Sequence, residues 1–572
     1  MSKKSRSKLW FLIHSWLALP IWFFVLIVCF TGTLAVVSQE LVWLAKPEIR
    51  ASKPSDDARL LSYDEILKAV HKAQPELDVR YVLRPDESHF ALQVQAIAPD
   101  SSTKNLYVNP YTGNIQGTSP PFDFRGFTRA LHGWWLVPFS RGYPWGWYLV
   151  SFLALPMLAS LITGLLVYKR FWRGFFKPTL RFHHGARIFW GDLHRLSGIW
   201  SIWFIAVISI TGIWFLIQAL LADNHISISS RSVPAVVARE DVPIVPPGEK
   251  PKRVTIEQAI QTVSAQIPGF EASFFSLQGN AYDTLNVRGR AGYPLMYQSA
   301  SIHPYSGRVV TSRTLSDRTP LEFVTESMRP LHTGDFGGLW IKMIWFFFGL
   351  VLSMMVLSGL LIWSKRTVLA TAATLRRAPS TRAAGQYPAS NAMSRTVAGQ
   401  PASALNRLWL KWRFHLNILL ILLPLGFMPK YFADQALFKG EVGLGEREAA
   451  EVVVGPWSLR LAEFRAEPPR LEGPAGYFKS FSAALCRACI TEVKATYLRI
   501  GQPRSLRTAG GIFFGSVHNM GASVPIPAKT RPDAELWITV EGWDGTMHQA
   551  SIPLSQASPA TVAWLKEQVG NP

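Results

Sequence analysis

Five stretches of this chain carry almost no charge: Leu9 to Val37, Trp145 to Tyr168, Ile199 to Leu220, Leu339 to Trp363 and Leu416 to Phe432. The first four exceed the roughly 20 residues that cross a bilayer core, so each is expected to be a helix that satisfies its own backbone. The fifth is shorter and holds Pro424, which leaves a spanning helix and a re-entrant segment both open. A hydrophobic content of 48%, with 22 Trp and 34 Phe, is more than a soluble core would need. The net charge of +21 would suit nucleic acid if the basic residues gathered on one soluble face. They flank the apolar runs instead, in SKKSRSK before the first, Lys169 to Arg187 between the second and third, and Lys365 to Arg413 between the fourth and fifth. That pattern excludes nucleic acid as a partner and implies membrane lipid. The positive-inside rule places these three segments in the cytoplasm, with an uncleaved first helix, and the large polar segments in the periplasm of a bacterial inner membrane.

The chain also repeats itself. His14 lies 17 residues before Thr31-Gly32, and His194 lies 17 before Thr211-Gly212. Each run leads to a polar segment that ends in a Pro-Tyr-Thr/Ser-Gly turn, YVNPYTGNIQG from Tyr107 and SIHPYSGRVVT from Ser301. RALHGWW, with Arg129 and His132, and RPLHTGD, with Arg329 and His332, then precede runs that close in TGLLVYKR and SGLLIWSKR. One module is therefore helix, periplasmic domain, helix. Helical periodicity from Leu61 and Val254, followed by alternating strands such as HFALQVQAI from His89, makes each domain α+β.

The expected architecture is a membrane helical bundle: a four-helix core from the tandem repeat plus a fifth helix, two periplasmic α+β domains, and a C-terminal β-rich periplasmic domain. In order these are helix 1 (1–45), domain 1 (46–134), helix 2 (145–169), a basic cytoplasmic loop (170–195), helix 3 (196–221), domain 2 (223–335), helix 4 (338–364), a flexible linker (365–412), helix 5 (413–434) and the C-terminal domain (437–572). The linker is rich in Ala, Ser, Arg, Pro and Gly, and the last domain shows strands punctuated by Gly and Pro.

A single histidine at a membrane boundary is ordinarily an interface residue. Here the pattern repeats: if the copies pack about a twofold axis along the membrane normal, His14 faces His194 at one end and His132 faces His332 at the other. A low-spin b-type haem needs two neutral imidazoles on opposite faces of its iron, so two pairs imply two haems and a path for electrons across the bilayer. Gly32, Gly198 and Gly212 would offer the low profile a flat ring needs, and Arg129 and Arg329 could pair with propionates. His183, His184 and His415 leave other choices for the cytoplasmic pair, while His71, His89, His225 and His303 read as surface positions. Cys486 and Cys489 form a CxxC without a following His, readable as a disulfide, a redox dithiol, or a metal site with His518, Met520, Met547 or His548. No P-loop, dinucleotide fingerprint or HExxH motif occurs.

The strings FLIHSWLALP…TGTL, NPYTG…RALHGWW…TGLLVYKR, DLHRLSGIW…TGIW and HPYSG…RPLHTGDFGG…SGLLIWSKR resemble the PepSY-associated transmembrane family over about residues 9–366. Its members include siderophore-iron reductases of the bacterial inner membrane. The resemblance implies PepSY-type periplasmic domains, haem b held by His14, His132, His194 and His332, and reduction of a ferric siderophore or other ferric chelate. Electrons would come from a cytoplasmic donor or the quinol pool. The extension from about Thr367 lies outside that four-helix pattern and leaves the acceptor open. The rival expectation is a haem-free PepSY-type protein that binds a ligand or partner in sensing or metal uptake. A transporter would carry polar residues in mid-span, and few are evident.

Overall fold

A computed structural model describes residues 3–139, 142–168, 171–228, 235–246, 249, 251–376 and 415–570. It divides into two compact units: residues 1–39, 124–228 and 327–429 make one, and residues 40–123, 229–326 and 430–572 the other.

The first unit is helical. Its elements are α1 (Lys3–Ala18), α2 (Trp22–Val36), α5 (Phe124–Trp134), α6 (Trp145–Phe152), α7 (Ala154–Val167), α8 (Phe171–Phe176), α9 (Ala186–Trp200) and α10 (Ile202–Asp223), followed by α12 (Pro320–Thr333, which begins in the other unit) and α13 (Gly338–Arg376). Among the described residues, five helical stretches are long and apolar enough to span: Leu9–Val36, Trp145–Val167, Ile202–Asp223, Gly338–Trp363 and His415–Phe438. The first four close a ring in which α1 packs on α7, α7 on α10, α9 on α13 and α13 on α2. The ring repeats after half a turn, as a duplication requires. Small residues let the helices approach: a Cβ on Gly212 would stand 2.8 Å from that of Ala154, and one on Gly349 would stand 2.5 Å from the Thr33 hydroxyl.

Both modules break their first span. Pro20 has no N–H to donate, and α1 passes into a short 3-10 turn, Leu19–Ile21, before α2 resumes; α9 and α10 break at Ser201. The fifth helix repairs the first break. Buried Asn417 donates Nδ2 to the Pro20 carbonyl at 2.8 Å and accepts the Phe23 N–H on Oδ1 at 3.2 Å. Pro424 and Pro429 lie inside this helix without ending it.

Several sequence-based boundaries move. Helices α5 and the end of α12, with Arg129, His132, Arg329 and His332, belong to the helical unit rather than to the polar domains, because α5 packs on α2 and α6, and α12 meets the spans where His332 touches Thr211 and Phe215 and where the Leu331 carbonyl accepts from Trp345. The flexible linker does not begin at residue 365, since α13 continues to Arg376; the linker's remainder, 377–412, lies outside the described residues.

The second unit opens with α3 (Ser38–Ala45), which starts in the helical unit. Its two polar domains are not separate. Strands β1 (Asp78–Leu83), β2 (Leu92–Ile97), β3 (Thr103–Val108) and β4 (Ile115–Thr118) join β5 (Glu271–Ser276), β6 (Leu285–Arg290), β7 (Gln298–Ile302) and β8 (Val309–Arg313) in one antiparallel sheet, ordered β4-β3-β2-β1-β5-β6-β7-β8. The seam pairs Tyr81 with Ser276 and Leu83 with Phe274. Helices α4 (Tyr63–Ala73) and α11 (Ile256–Gln266) bury Ile66, Val70, Ala259 and Val263 against Val82, Val94, Phe275 and Val287 in one shared core. Each begins with a capping box, Ser62 with Glu65 and Thr255 with Gln258. The next acidic residue crosses over: Asp64 accepts the Ile256 N–H at 3.0 Å, and Glu257 accepts the Tyr63 N–H at 2.8 Å.

The C-terminal region is a β-sandwich. One sheet holds β9 (Arg447–Val454), β10 (Trp457–Glu463), β11 (Arg470–Leu471), β12 (Tyr477–Leu485), β15 (Phe514–Ser516) and β16 (Asn519–Ile526). The other holds β13 (Val493–Ile500), β14 (Gly511–Ile512), β17 (Glu535–Gly542) and β18 (Met547–Pro553). It docks on both module domains. Ser101 donates to the His518 carbonyl and Asn280 to the Phe513 carbonyl. Buried Glu541 accepts from Tyr282 at 2.8 Å, Tyr497 at 3.1 Å and Arg239 at 2.9 Å, with buried Lys494 at 3.2 Å.

Candidate functional site

The four repeated histidines lie in the helical unit as two facing pairs. His14 on α1 and His194 on α9 have ring centres 6.3 Å apart; His132 on α5 and His332 on α12 have theirs 6.1 Å apart. All four rings are half-buried. Each pair takes one ring from each module. Val28, which touches His132, is 14 residues beyond His14 in the chain, so at about 1.5 Å per residue the pairs are separated by roughly 20 Å along the first span.

Every ring is held through Nδ1 by a neighbouring helix of its own module. His14 Nδ1 meets the Ser160 carbonyl at 3.0 Å and Thr163 Oγ1 at 3.1 Å, and His132 Nδ1 meets the Val28 carbonyl at 2.9 Å. In the second copy His194 Nδ1 meets Ser358 Oγ at 2.9 Å, and His332 Nδ1 meets Thr211 Oγ1 at 2.7 Å. A carbonyl can only accept, so Nδ1 carries the proton in His14 and His132. The hydroxyls lead to the same tautomer, because Thr163, Thr211 and Ser358 give their hydrogens to Ala159, Val207 and Met355 carbonyls of their own helices. Nδ1 therefore carries a proton in all four rings, which leaves Nε2 as the nitrogen with a lone pair to offer when the ring is neutral.

These sockets coincide with the four Thr/Ser-Gly pairs. In each, the hydroxyl residue and the carbonyl one turn earlier offer acceptors, and in three of the four the glycine leaves room for the ring. A Cβ on Gly32 would meet His132 Cε1 at 2.6 Å, one on Gly164 would meet His14 Cε1 at 3.4 Å, and one on Gly359 would meet His194 Cε1 at 3.6 Å. Gly198 and Gly212 do not take this role, since they face Met355 and Ala154. In the sequence the Thr/Ser-Gly strings mark the repeat without disclosing this chemistry; their presence on every histidine-facing helix is the signal that points to it.

The remaining candidates are placed elsewhere. His183 and His184 are exposed in a short 3-10 turn, and His415 is exposed at the start of the fifth helix. Arg129 and Arg329 are exposed, each three residues before its histidine on the same helix face. Cys486 and Cys489 form a disulfide, which uses both thiolates a metal would need. Among the described residues no three His, Cys, Asp or Glu side chains are grouped to hold a metal ion, so the metal reading of this motif with His518, Met520, Met547 or His548 is not supported. His303 is not a surface residue: it is buried, and its Nδ1 accepts from Tyr305 and Ser306 N–H to shape its turn, as Asn109 Oδ1 does for Tyr111 and Thr112 in the first copy.

The paired modules with their shared histidine sites run within residues 11–366, and over that span the sequence matches the model described as PepSY-associated TM region. The chain belongs to this family. A second model, described as an uncharacterised conserved protein, matches residues 408–555 and so takes in the part that extends the PepSY-associated core. An uncharacterised protein of Pseudomonas aeruginosa is 24% identical over 258 residues, covering 41% of this chain and 63% of that relative's length.

Proposed function

We propose that this PepSY-associated membrane protein is an inner-membrane di-haem b oxidoreductase that carries electrons from a cytoplasmic donor or the quinol pool to a periplasmic acceptor. The leading acceptor is a ferric siderophore or other ferric chelate, which would make the protein a ferric-chelate reductase. The observation that carries this reading is the arrangement of the histidines: four rings in two facing pairs, each fixed through Nδ1, so that Nε2 is the nitrogen a neutral ring would offer to a metal.

The spacing supports the same cofactor. An imidazole nitrogen sits about 2.0 Å from its metal and the ring centre roughly 1.1 Å beyond, so two imidazoles sharing one metal between them would have ring centres about 6.2 Å apart. The two pairs stand at 6.3 and 6.1 Å. With no third protein ligand grouped there among the described residues, a bare ion would lack most of its coordination shell, which a porphyrin completes.

When bound, haem b supplies reversible one-electron transfer. His14 with His194 and His132 with His332 would hold it, and the sockets fix the orientation of each ring. Arg129 and Arg329, one turn before the second pair, are placed to meet propionates. Each electron delivered converts one chelated Fe(III) to Fe(II), which hard oxygen donors hold less firmly. The basic segments beside the first, second and fourth spans support the orientation with the N-terminus in the cytoplasm.

The visible spectrum of the full-length chain purified in detergent tests the reading. A Soret band, dithionite-reduced α and β bands, and two haems per chain are expected, and His132→Ala or His332→Ala should remove one of the two. A folded but colourless preparation overturns the function. Full haem content in all four single His→Ala variants overturns the ligand assignment.

A further inference from the structure

We infer that the Nδ1 sockets set the two centres at unequal potentials, the His14–His194 centre lower and the His132–His332 centre higher, so that Thr163, Ser358 and Thr211 are positioning residues that give electron flow its direction. This rests on the di-haem reading.

An acceptor on Nδ1–H draws that proton away from the ring and makes Nε2 a stronger donor. A stronger axial donor favours ferric over ferrous iron and lowers the potential. The acceptors are not shared equally. At the first pair His14 has two, the Ser160 carbonyl and the Thr163 hydroxyl, and His194 adds the Ser358 hydroxyl. At the second pair His132 has the Val28 carbonyl and His332 the Thr211 hydroxyl. More acceptors therefore act on the first centre than on the second.

Each transfer moves one electron and no proton, because every Nδ1–H remains bound to its acceptor. An electron entering at His14–His194 would pass to His132–His332 downhill.

The test is an optical redox titration of the purified full-length chain, read at the reduced α band alongside haem content. Two waves are expected, and His132→Ala should remove the upper one. Thr163→Val and Ser358→Ala reach the same centre from different helices, and both should raise the lower wave and leave the upper. Thr211→Val should raise only the upper wave, while Thr163→Ser, which keeps the acceptor, should stay at the wild-type value. Full haem content with unmoved waves in Thr163→Val and Ser358→Ala, or loss of the lower wave in His132→Ala, overturns this inference and leaves the proposed function standing. A wild-type chain without haem overturns both.

Discussion

At the scale of single residues, Gly32 is the most constrained position near the histidines. Any Cβ there would sit 2.6 Å from His132 Cε1, well inside van der Waals contact, so Gly32→Val must push the ring out of its place. On the proposed di-haem reading, the expected result is loss of about half the haem, measured as the haem-to-protein ratio. Gly198→Ala, whose Cβ would stand 3.4 Å from the flexible end of Met355, should keep the full complement. The histidines themselves were legible in the sequence because a duplication prints each chemical requirement twice. Their sockets were not, since which acceptor a ring finds depends on how neighbouring helices are rotated. Nor was the burial of His303, whose ring replaces Asn109 as the acceptor that shapes a turn.

At the scale of elements, the spans were legible from length and lack of charge, whereas their interruptions were not. The break at Pro20 leaves a carbonyl and an N–H without helical partners, and Asn417 of the fifth helix meets both. Replacing it by leucine removes two hydrogen bonds in an apolar setting, at about 1–3 kcal/mol for each group left unmatched. Asn417→Leu should therefore lower the thermal unfolding midpoint of the detergent-solubilised chain, and Asn417→Gln should recover only part of it. Nearby, Trp135 and Leu136 have φ of +56° and +59°, a conformation that the second copy gives to Gly334 at +73°. Left-handed backbone costs roughly 1–2 kcal/mol for each such residue. The buried Trp135 indole offsets this by donating to the Leu420 carbonyl at 2.7 Å and packing edge-on against Phe24. The first copy thus uses strained backbone where it receives the fifth helix. Helices α4 and α11 could be read from their periodicity, but their exchange of N-terminal caps could not, because each acid lies in the wrong module to be read locally.

At the scale of the molecule, the C-terminal sandwich is tied to the second module domain by Glu541. Burial opposes the charged carboxylate, but the Tyr282 hydroxyl, Lys494 and Arg239 outweigh it and hold the carboxyl below its ordinary 4.5. A group depressed in the folded state stabilises fully above its unfolded value, and that contribution is lost as pH falls through the folded one. Docking should be unchanged from neutral pH down to about 5 and weaken below about 4.5, seen as faster amide exchange in β13 and β17. Glu541→Gln should weaken it already at pH 7, by about 3 kcal/mol, since buried Lys494 then loses its counter-charge. The β1–β5 seam carries a different consequence. Were each module a separate polypeptide, this seam would be the isologous contact of a homodimer, and strict symmetry would oblige both rings of every histidine pair to have identical surroundings. Joining the halves in one chain lifts that obligation. Ser160 and Thr163 can then differ from Ser358, His303 can stand where its counterpart is Asn109, and one half alone can be recessed to seat an added helix, so the duplication trades equality between its copies for a difference across them.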